Sequence, residues 1–553
     1  MDCQMSYQRW EISTRFPTKP VEEIVHARGI RKVEAFLHPD YEKLTSPEDL
    51  PGVKAAETRI FRAAACDETV GIFMDYDADG LCGGAIIYRT IVNLAKKVIA
   101  YVPHRAEGYG LSKKAIDILI KKGAKLIITV DCGIRDEKEI AYAHQRGAEI
   151  IVVDHHQLSD SLPKEAILVH PKIPGHNRLK FRDFSGGGVA FILAKAIFAK
   201  LMKPGHEKWL LDLAAISSLA DVVPLTDDNR LIVKFGLLVL NKTRNLGLRE
   251  LIRAAGCKEG GVGTYEVGFM LAPRLNAAGR IDHPQKSFAL LVSEDGREGK
   301  RLSQDLNKLN SERQALLDEA TLSASAKVVK DNLDRQKVII LRDSDWNEGI
   351  IGLVASRMVE KFWRPTIVVS GRDKLRGSAR SIAGINIVDL IGQAQKHLVS
   401  FGGHPMAAGL SLESNKFAAF EKNILRSAQK IDDELFTRTL KVDAVLDFRQ
   451  VKLSLAKELE KMAPFGPANP RPIFCLEKVE VKNLHRIGAD QKHLRFSACS
   501  AGGICQVVAF SFEANGWHLR SGEKFDLAFS IKIDEWQGRQ KLDLILEDAR
   551  ESQ

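Results

Sequence analysis

The sequence lacks the features of several common protein classes. Its eight cysteines are scattered without a C-x-x-C pair, so neither a disulfide scaffold nor a thiolate zinc site is indicated, and a reducing cytoplasm is the expected location. It has no run of about 18 apolar residues and no apolar core of a signal peptide, which predicts a protein that is neither exported nor associated with a membrane. Fixed-period repeats and low-complexity tracts are also missing.

The composition is that of a globular protein with a mild excess of positive charge. The 553 residues are 45% hydrophobic, enough for sizeable cores in roughly three to four domains. Lysine and arginine total 81 against 71 acidic residues, which gives a net charge of +10. A basic balance favours a polyanionic partner such as a nucleic acid.

Hydrophobic patterning divides the chain into five predicted segments. Residues 1–65 show short helical patterns, and residues 66–245 alternate brief apolar runs with amphipathic helices, which is typical of an α/β fold with a mostly parallel sheet. A helical connector is predicted over residues 246–335 and a smaller α/β segment over 336–434. Residues 435–553 carry short strands of period two, which predict a small antiparallel barrel or sandwich.

The segment "FMDYDADGLC", residues 73–82, concentrates negative charge directly after an apolar strand. Its D-x-D-x-D-G spacing begins like a calcium-binding EF-hand loop, but the twelfth position, which must supply a bidentate carboxylate, is Ile86. Three apolar runs end in the same way, at Asp75, Asp131 and Asp154. Because the carboxyl ends of parallel strands share one edge of a sheet, these aspartates are expected to converge.

Two histidines, His155 and His156, and a further carboxylate, Asp221, join this group. Crowding four or five carboxylates within about 4 to 6 Å costs about 3 to 4 kcal/mol per pair at an effective dielectric of about 20, so cations are expected among them. Oxygen and imidazole donors without thiolate favour Mn²⁺ or Mg²⁺ over zinc. Two ions about 3.5 to 4 Å apart would clamp a phosphodiester and activate water to hydrolyse it. Taken singly, each aspartate has an alternative use as a helix cap.

Nine motifs stand out along the chain. The first four are "DYDADG", "VDCG" at residues 130–133, "VVDHH" at 152–156 and "LADVVPL" at 219–225. The others are "APRLNAAGRI" at 272–281, "GIIGLVASRM", "RGSARS" at 376–381, "FGGHPMAAG" at 401–409 and "PFGPANPRP" at 464–472. The first four resemble the motifs of the DHH/DHHA1 phosphoesterase superfamily, and the others extend the resemblance over nearly the whole chain to the RecJ family of single-strand-specific 5′ to 3′ DNA exonucleases. The resemblance implies a DHH catalytic domain joined by a long helix to a DHHA1 substrate-binding domain, followed by an OB-fold domain that binds single-stranded DNA.

The resemblance also implies roles for individual residues. The expected ligands of two Mn²⁺ or Mg²⁺ ions are Asp75, Asp77, Asp131, His155 and Asp221. Asp131 is expected to bridge the two ions and to be catalytic, as is His156, which either faces the phosphate or holds a ligand in place. Asp79 and Asp154 are expected to support the ligands.

Four positions depart from the family's pattern. Phe73 and Met74 stand where relatives often have His-Gly, Asn347 stands where a histidine is usual, and His170 where an asparagine is usual. The five expected ligands are all present.

A pocket for the terminal 5′-phosphate is expected from glycine-rich stretches and arginines. The turns predicted at "RGSARS" and "FGGHPMAAG" would form anion-binding nests of backbone amides. The resemblance implies that the pocket residues are Arg105, Arg280, Arg376, Ser378, Arg380 and His404. In the C-terminal segment, basic residues neighbour five aromatic candidates for base stacking, namely Phe496, Phe510, Phe512, Trp517 and Trp536.

These observations predict a metal-dependent 5′ to 3′ exonuclease for single-stranded DNA in recombination and repair. A monomer is expected, and the resemblance implies that its partners are single-stranded DNA, a helicase and a single-strand-binding protein. One alternative is a phosphodiesterase for very short oligonucleotides or cyclic dinucleotides, since the same motifs serve those relatives. Another is a non-catalytic DNA-binding relative, which would lack the carboxylates that are present here.

Overall fold

The computed structural model describes residues 7–552, apart from 489, 513–515 and 537–538. At residues 535, 536 and 539 it describes the backbone alone. The chain forms two compact units. The first unit comprises Met1–His38, Gln314–Ala463 and Arg471–Gln553, and the second comprises Pro39–Arg313 and Pro464–Pro470.

The N-terminal segment begins with a strand, which the helical prediction for residues 1–65 missed. Strand β1 (Arg9–Arg15) pairs in parallel with residues 439–445 of the same unit. Trp10 and Ile12 pack on a small cluster of buried apolar residues there, so the alternating pattern of "RWEISTR" is that of an edge strand. The segment's helices are α1 (Pro20–Ala27), α2 (Val33–Leu37) and α3 (Val53–Ala65).

The second unit is built on a parallel five-stranded sheet, as the alternating pattern predicted. Its strands are β2 (Thr69–Met74), β3 (Lys97–Tyr101), β4 (Ala124–Val130), β5 (Glu149–Val153) and β6 (Ala166–Val169). The crossover helices among them are α4 (Ala78–Ile91), α5 (Lys113–Lys121) and α6 (Glu137–Gln145). The strand order β3-β2-β4-β5-β6 makes β2, β4 and β5 neighbours, so their carboxyl ends share one edge.

Helices surround this sheet and continue into the connector. They are α7 (Gly186–Lys200), α8 (Leu211–Ala220), α9 (Asp227–Leu240), α10 (Leu246–Ala254), α11 (Ala272–Ile281), α12 (Gln285–Val292) and α13 (Gly296–Lys330). A π-helical turn, Glu266–Leu271, leads directly into α11. Helices α4 and α7 approach closely through glycine, because a Cβ on Gly83 would lie 3.2 Å from the Cα of Gly187.

The first unit contains a mixed five-stranded sheet of order β10-β11-β9-β8-β7. Its strands are β7 (Ile339–Arg342), β8 (Thr366–Ser370), β9 (Lys374–Arg380), β10 (Ser400–His404) and β11 (Ala407–Glu413). Its helices are α14 (Ile351–Phe362), α15 (Ile387–Gly392) and α16 (Phe417–Ala428).

The prediction of glycine-rich nests is wrong for this sheet, since the first stretch lies in β9 and the second runs from β10 into β11, and these strands pair antiparallel to one another. Gly377 serves packing: a Cβ there would lie 2.8 Å from the side chain of Leu410.

The C-terminal part of the first unit is a closed barrel, which confirms the OB-like prediction. Its elements are β12 (Thr439–Val445), α17 (Leu453–Glu460), β13 (Ile473–Ile487), β14 (His493–Ser500), β15 (Gly503–Ala509), β16 (Lys524–Trp536) and β17 (Arg539–Glu551). The order β13-β14-β15-β17-β16 closes because β16 also pairs with β13. The prediction of a purely antiparallel barrel is wrong at one place, where β15 and β17 pair in parallel.

Within the described ranges, every helix is too short or too polar to cross a membrane.

Candidate active site at the edge of the parallel sheet

Three aspartates directly follow the central strands of the parallel sheet. The ladder extends one residue past each strand, since the amide of Asp75 donates to Val130, that of Asp131 to Val153 and that of Asp154 to Val169. All three side chains are buried. Asp131 has a φ of +62°, which is strained for a non-glycine residue and is typical of functional positions.

The turn from β2 into α4 is shaped by side-chain hydrogen bonds. Asp77 caps the helix by accepting from the amides of Asp79 (3.0 Å) and Gly80 (3.1 Å). The side-chain oxygen of Asn276, on α11, accepts from the amide of Ala78 at 2.7 Å. Asp75 and Asp77 are therefore held at the N-terminus of α4, where the helix dipole favours negative charge.

Asp79 joins three helices at the centre of the site. Its carboxylate accepts from the amides of Gly186 and Gly187, both at 2.8 Å, and from the hydroxyl of Ser217 at 2.5 Å. It is 2% exposed. These bonds tie α4 to the start of α7 and to α8, so Asp79 positions the helices around the metal-ligand candidates.

The two histidines occupy different positions beside the carboxylates. Nε2 of His155 lies 3.1 Å from Oδ1 of Asp131 and 3.7 Å from an oxygen of Asp221. Nδ1 of His156 lies 2.8 Å from Oδ1 of Asp154, and the same oxygen accepts from both histidine amides. Asp154 thus orients the two histidines through these hydrogen bonds, while His155 points towards the carboxylates of Asp131 and Asp221.

The side chains present fit divalent cations. Three groups each bring ligand atoms within 4.8 Å of one another: Asp75, Asp77 and Asp131; Asp79, His155 and Asp221; and Asp131, His155 and His156. Three atoms, Oδ1 of Asp75, Oδ1 of Asp131 and Nε2 of His155, are buried without a hydrogen-bond partner. Buried polar atoms are normally satisfied, so unpartnered oxygen and imidazole donors that face one another suit Mn²⁺ or Mg²⁺.

The pKa shifts within this group of carboxylates and histidines indicate that bound positive charge would stabilise it. Burial and then the neighbouring carboxylates raise the pKa of Asp131 well above its usual value, and they raise the pKa of Asp221 to about 9. Burial lowers the pKa of His155 to about 4, so its ring is neutral and can bind a metal. Burial opposes ionisation of Asp154, but the hydrogen bond from His156 and the histidine charges lower its pKa overall.

Two of the expected phosphate-pocket residues, Arg105 and Arg280, lie in the second unit near the aspartates. The Arg105 guanidinium lies 5.4 Å from the ring centroid of Tyr76. Burial raises the pKa of Tyr76, and the charges of both arginines oppose that rise. The rings of His104 and His283 are 5.8 Å apart and bring the two segments together.

The other four expected pocket residues lie in the first unit. Arg376, Ser378 and Arg380 alternate along β9 and therefore share one face. Arg380 donates to Ser378 at 3.1 Å, and a Cβ on Gly352, in the first turn of α14, would lie 2.9 Å from the Ser378 hydroxyl. His404 is exposed at the end of β10.

The positions that depart from the family's pattern make local hydrogen bonds or fill the core. The ring of His170 is buried and lies 2.9 Å from the carbonyl of His156, so it holds the histidine pair. Asn347 accepts from the amide of Gly349 at 2.7 Å ahead of α14. Phe73 and Met74 are buried strand residues.

Three residues near the aspartates were missed by sequence reasoning. Asn276 caps α4, the Lys172 ammonium donates to the carbonyl of His155 at 2.7 Å, and the Tyr109 hydroxyl donates to the carbonyl of Asp131 at 3.2 Å. Asn276 lies close in sequence to Arg280, and Tyr109 lies close to Arg105. This proximity to expected pocket residues was the only sequence signal for either of them.

The barrel aromatics divide between core and surface. Phe496 is fully buried, and Trp517 is 9% exposed and donates to Asp548. Phe510 is 50% exposed, and the Arg486 guanidinium lies 4.9 Å from the ring centroid of Phe512. The side chain of Trp536 lies outside the described residues.

Comparison with protein families gives three matches along the chain. Residues 69–217 match the DHH family N-terminal domain, residues 335–430 match the DHHA1 domain, and residues 442–548 match the RecJ OB domain. Their order agrees with the succession of the parallel sheet, the mixed sheet and the barrel.

Individual relatives match nearly the whole chain. The single-stranded-DNA-specific exonuclease RecJ of Bacillus subtilis (strain 168) is 35% identical over 568 residues, covering 99% of this chain and 71% of that protein. RecJ from Thermus thermophilus in complex with Mn²⁺ has a TM-score of 0.84 at 29% identity, covering 99% of this chain and 80% of that one. The Mg²⁺ complex of the same protein gives a TM-score of 0.77 at 28% identity, covering 99% and 79%. The chain belongs to the RecJ family of the DHH/DHHA1 proteins.

Proposed function

We propose that the protein is a single-stranded-DNA-specific 5′ to 3′ exonuclease that hydrolyses phosphodiester bonds with two Mn²⁺ or Mg²⁺ ions, and that it acts in recombination and repair. One observation carries the proposal: the tips of adjacent strands bring buried carboxylates together with a neutral imidazole, and three of their polar atoms have no hydrogen-bond partner. The names of the curated relatives support the choice of substrate.

The residues at this site have two kinds of role, binding of metal ions and positioning of the ligands. Asp75, Asp77, Asp131, His155 and Asp221 would hold the ions, and Asp131 is common to two of the candidate groups. Bound divalent ions would polarise the scissile phosphodiester and activate water. Asp79 and Asp154 position the ligands through the hydrogen bonds described above.

His156 is the residue poised to contact the reacting phosphate. Burial lowers the pKa of His156, but the hydrogen bond to Asp154 and the neighbouring carboxylates raise it overall, which favours a ring that can donate to an anionic phosphate.

The barrel would bind the single strand through aromatic and basic side chains. Phe510 is an exposed aromatic ring, and the Arg486 guanidinium lies over the ring of the half-buried Phe512; aromatic rings and cations together bind single strands without sequence preference. We also propose that the protein is a cytoplasmic monomer, and that a helicase and a single-strand-binding protein supply its substrate.

Degradation of end-labelled DNA tests the function directly. With Mn²⁺ or Mg²⁺, we expect a 5′-labelled single strand to lose its label as the first product, whereas a 3′-labelled strand shortens progressively. Blunt duplex and samples with chelator should remain intact. Faster hydrolysis of two- to five-nucleotide substrates than of long strands would favour the oligonucleotide phosphodiesterase instead.

We propose that Arg105 contacts the terminal 5′-phosphate, which predicts a preference for 5′-phosphorylated strands that a point variant removes. A charge-assisted hydrogen bond contributes about 1.5 to 3 kcal/mol, or about 10- to 150-fold in affinity. Arg105→Ala is expected to raise KM about 10-fold for 5′-phosphorylated strands and to change it little for 5′-hydroxyl strands.

Arg146→Ala is the matched control for this variant, because this exposed arginine pairs with Asp117 at 2.6 Å. It should keep the wild-type preference for a 5′-phosphate. An unchanged preference in Arg105→Ala would show that Arg105 does not bind the terminal phosphate.

A further inference from the structure

A cavity of about 250 Å³ lies between the end of α9 and one face of α10, in the second unit. Arg249, Ile252 and Arg253 are spaced i, i+3 and i+4 along α10, so they share the face that lines the cavity. Leu240 at the end of α9 and Val262 in the segment after α10 line it from the other sides. Three segments that are separate in sequence therefore enclose the cavity.

The walls of the cavity are held in place by hydrogen bonds between these segments. The side-chain amide of Asn241 donates to the carbonyl of Val262 at 2.8 Å, and its oxygen accepts from the Val262 amide at 2.9 Å. The Thr243 hydroxyl donates to the Asp212 carboxylate on α8 at 2.5 Å, and the side chain of Asn245 caps α10. The cavity is therefore formed before any ligand binds, as most small-molecule sites are.

The rim of the cavity carries an excess of positive charge. Lys242, Arg249 and Arg253 are exposed lining residues, and Glu259 is the single acidic residue of the described lining. Arg253 pairs with Glu250 at 2.6 Å. Within the part of the chain that the structure describes, Lys242 and Arg249 form no ion pair. An anion that enters the cavity therefore meets two cations that no carboxylate neutralises.

The inner part of the lining is apolar. Leu240 and Val262 are buried, and Ile252 and Cys257 are half-buried. Burial raises the pKa of the Cys257 thiol, so this side chain is neutral and behaves as a small apolar group. A cavity with cations at its rim and apolar side chains within suits a molecule that has a phosphate at one end and an apolar or planar body at the other.

We propose that this cavity binds a small phosphorylated molecule of the nucleoside 5′-monophosphate class, with its phosphate on Lys242 and Arg249 and its base against the apolar lining. Arginine suits phosphate because its guanidinium donates two parallel hydrogen bonds. The 14 residues of α9 separate the cavity by about 20 Å from the end of the helix that adjoins Asp221, so this site is distinct from the metal-ligand candidates. The inference does not require the proposed function, although that reaction would release molecules of this class.

Equilibrium dialysis of labelled dAMP against the full-length protein tests the cavity. The protein carries Arg105→Ala and the buffer contains chelator, so that neither the proposed phosphate contact nor bound metal adds to the measurement. We expect saturable binding of dAMP, competition by inorganic phosphate, and at least about 10-fold weaker binding of deoxyadenosine, which lacks the phosphate that the two cations would bind.

Variants at the rim locate the binding. Arg249→Gln and Lys242→Gln keep a polar side chain without its charge, and each is expected to weaken dAMP binding about 10-fold or more. Arg301→Gln is the matched control, because this exposed arginine of the same unit pairs with Asp305 on α13 at 3.2 Å. It should keep the affinity for dAMP, and thermal melting of each variant controls for folding.

Three results would overturn the site: no binding of dAMP, equal binding of dAMP and deoxyadenosine, or unchanged dAMP binding in both Arg249→Gln and Lys242→Gln. Each can occur while the wild type degrades single strands in Mn²⁺. Conversely, a wild type that degrades no strand would contradict the proposed function and leave the dialysis result standing, so the two failures are distinguishable.

Discussion

Asp131→Ala is expected to abolish phosphodiester hydrolysis and to leave binding of single-stranded DNA largely intact. The carboxylate belongs to two of the three groups that can hold a cation, and its buried Oδ1 has no hydrogen-bond partner. Metal ions contribute several kcal/mol of transition-state stabilisation, so we expect the rate to fall by about 10³-fold or more. Nucleotide release under Mn²⁺ and fluorescence anisotropy of a labelled strand measure the two properties separately.

Asp212→Asn provides a matched control for the loss of a buried carboxylate. Asp212 is also buried in the second unit, where it accepts from the Thr243 hydroxyl at 2.5 Å, but it belongs to none of the candidate metal groups among the described residues. The hydrolysis rate of Asp212→Asn should stay within a few-fold of the wild-type rate. A wild-type rate in Asp131→Ala would rule out the mechanism proposed above.

The group of aspartates at the edge of the parallel sheet could be predicted from sequence because the signal for each of them is local. Each of Asp75, Asp131 and Asp154 directly follows an apolar run, and parallel pairing alone brings such positions to one edge. The parallel sheet followed from hydrophobic periodicity in the same way. For the C-terminal segment periodicity left a barrel or a sandwich open, and the resemblance to the RecJ family implied the barrel. The position of His155 was predictable for the same reason, since it adjoins Asp154.

Contacts between distant segments could not be predicted in this way. The bonds from Asp79 to Gly186 and Gly187 join residues more than a hundred positions apart. The strand at residues 9–15 exists because residues 439–445 offer it an edge, and no pattern inside the first 65 residues reports that partner. Glycine-rich stretches were interpreted as turns because glycine is common there, whereas Gly377 is needed for close packing against Leu410.

Single side chains, too, could be predicted where their signal is local and not where their role depends on a distant segment. Tyr109 is uncharged and does not directly follow a strand, so its sequence position gave no reason to select it; its hydroxyl donates to the carbonyl of Asp131, in another segment of the chain. Asn276 is similar, because helix capping between α11 and α4 joins residues far apart in sequence. Polar residues that act through a backbone atom of another segment leave little trace in sequence patterns.

Gly186→Ala is expected to reduce the rate about 100-fold without removing any ligand. A Cβ at this position would lie 2.7 Å from Cβ and 2.8 Å from Oδ1 of Asp131, both closer than van der Waals contact allows. The backbone of Gly186 is held by its hydrogen bond to Asp79, so the Asp131 side chain must move, and a shift of about 1 Å in a catalytic group can cost about 10²-fold. Steady-state kinetics with Mn²⁺ should show the loss in kcat more than in KM.

Gly188→Ala is the matched control, two residues further along the same helix. A Cβ there meets the Ser185 hydroxyl at 3.3 Å and the Phe184 ring at 3.4 Å, and it faces neither Asp131 nor Asp79 at close range. Alanine favours the helix by up to about 1 kcal/mol over glycine, so this variant should melt no lower than wild type and keep its rate within about two-fold. Equal rates for the two variants would mean that the site tolerates displacement of Asp131, contrary to the geometry on which the proposed mechanism depends.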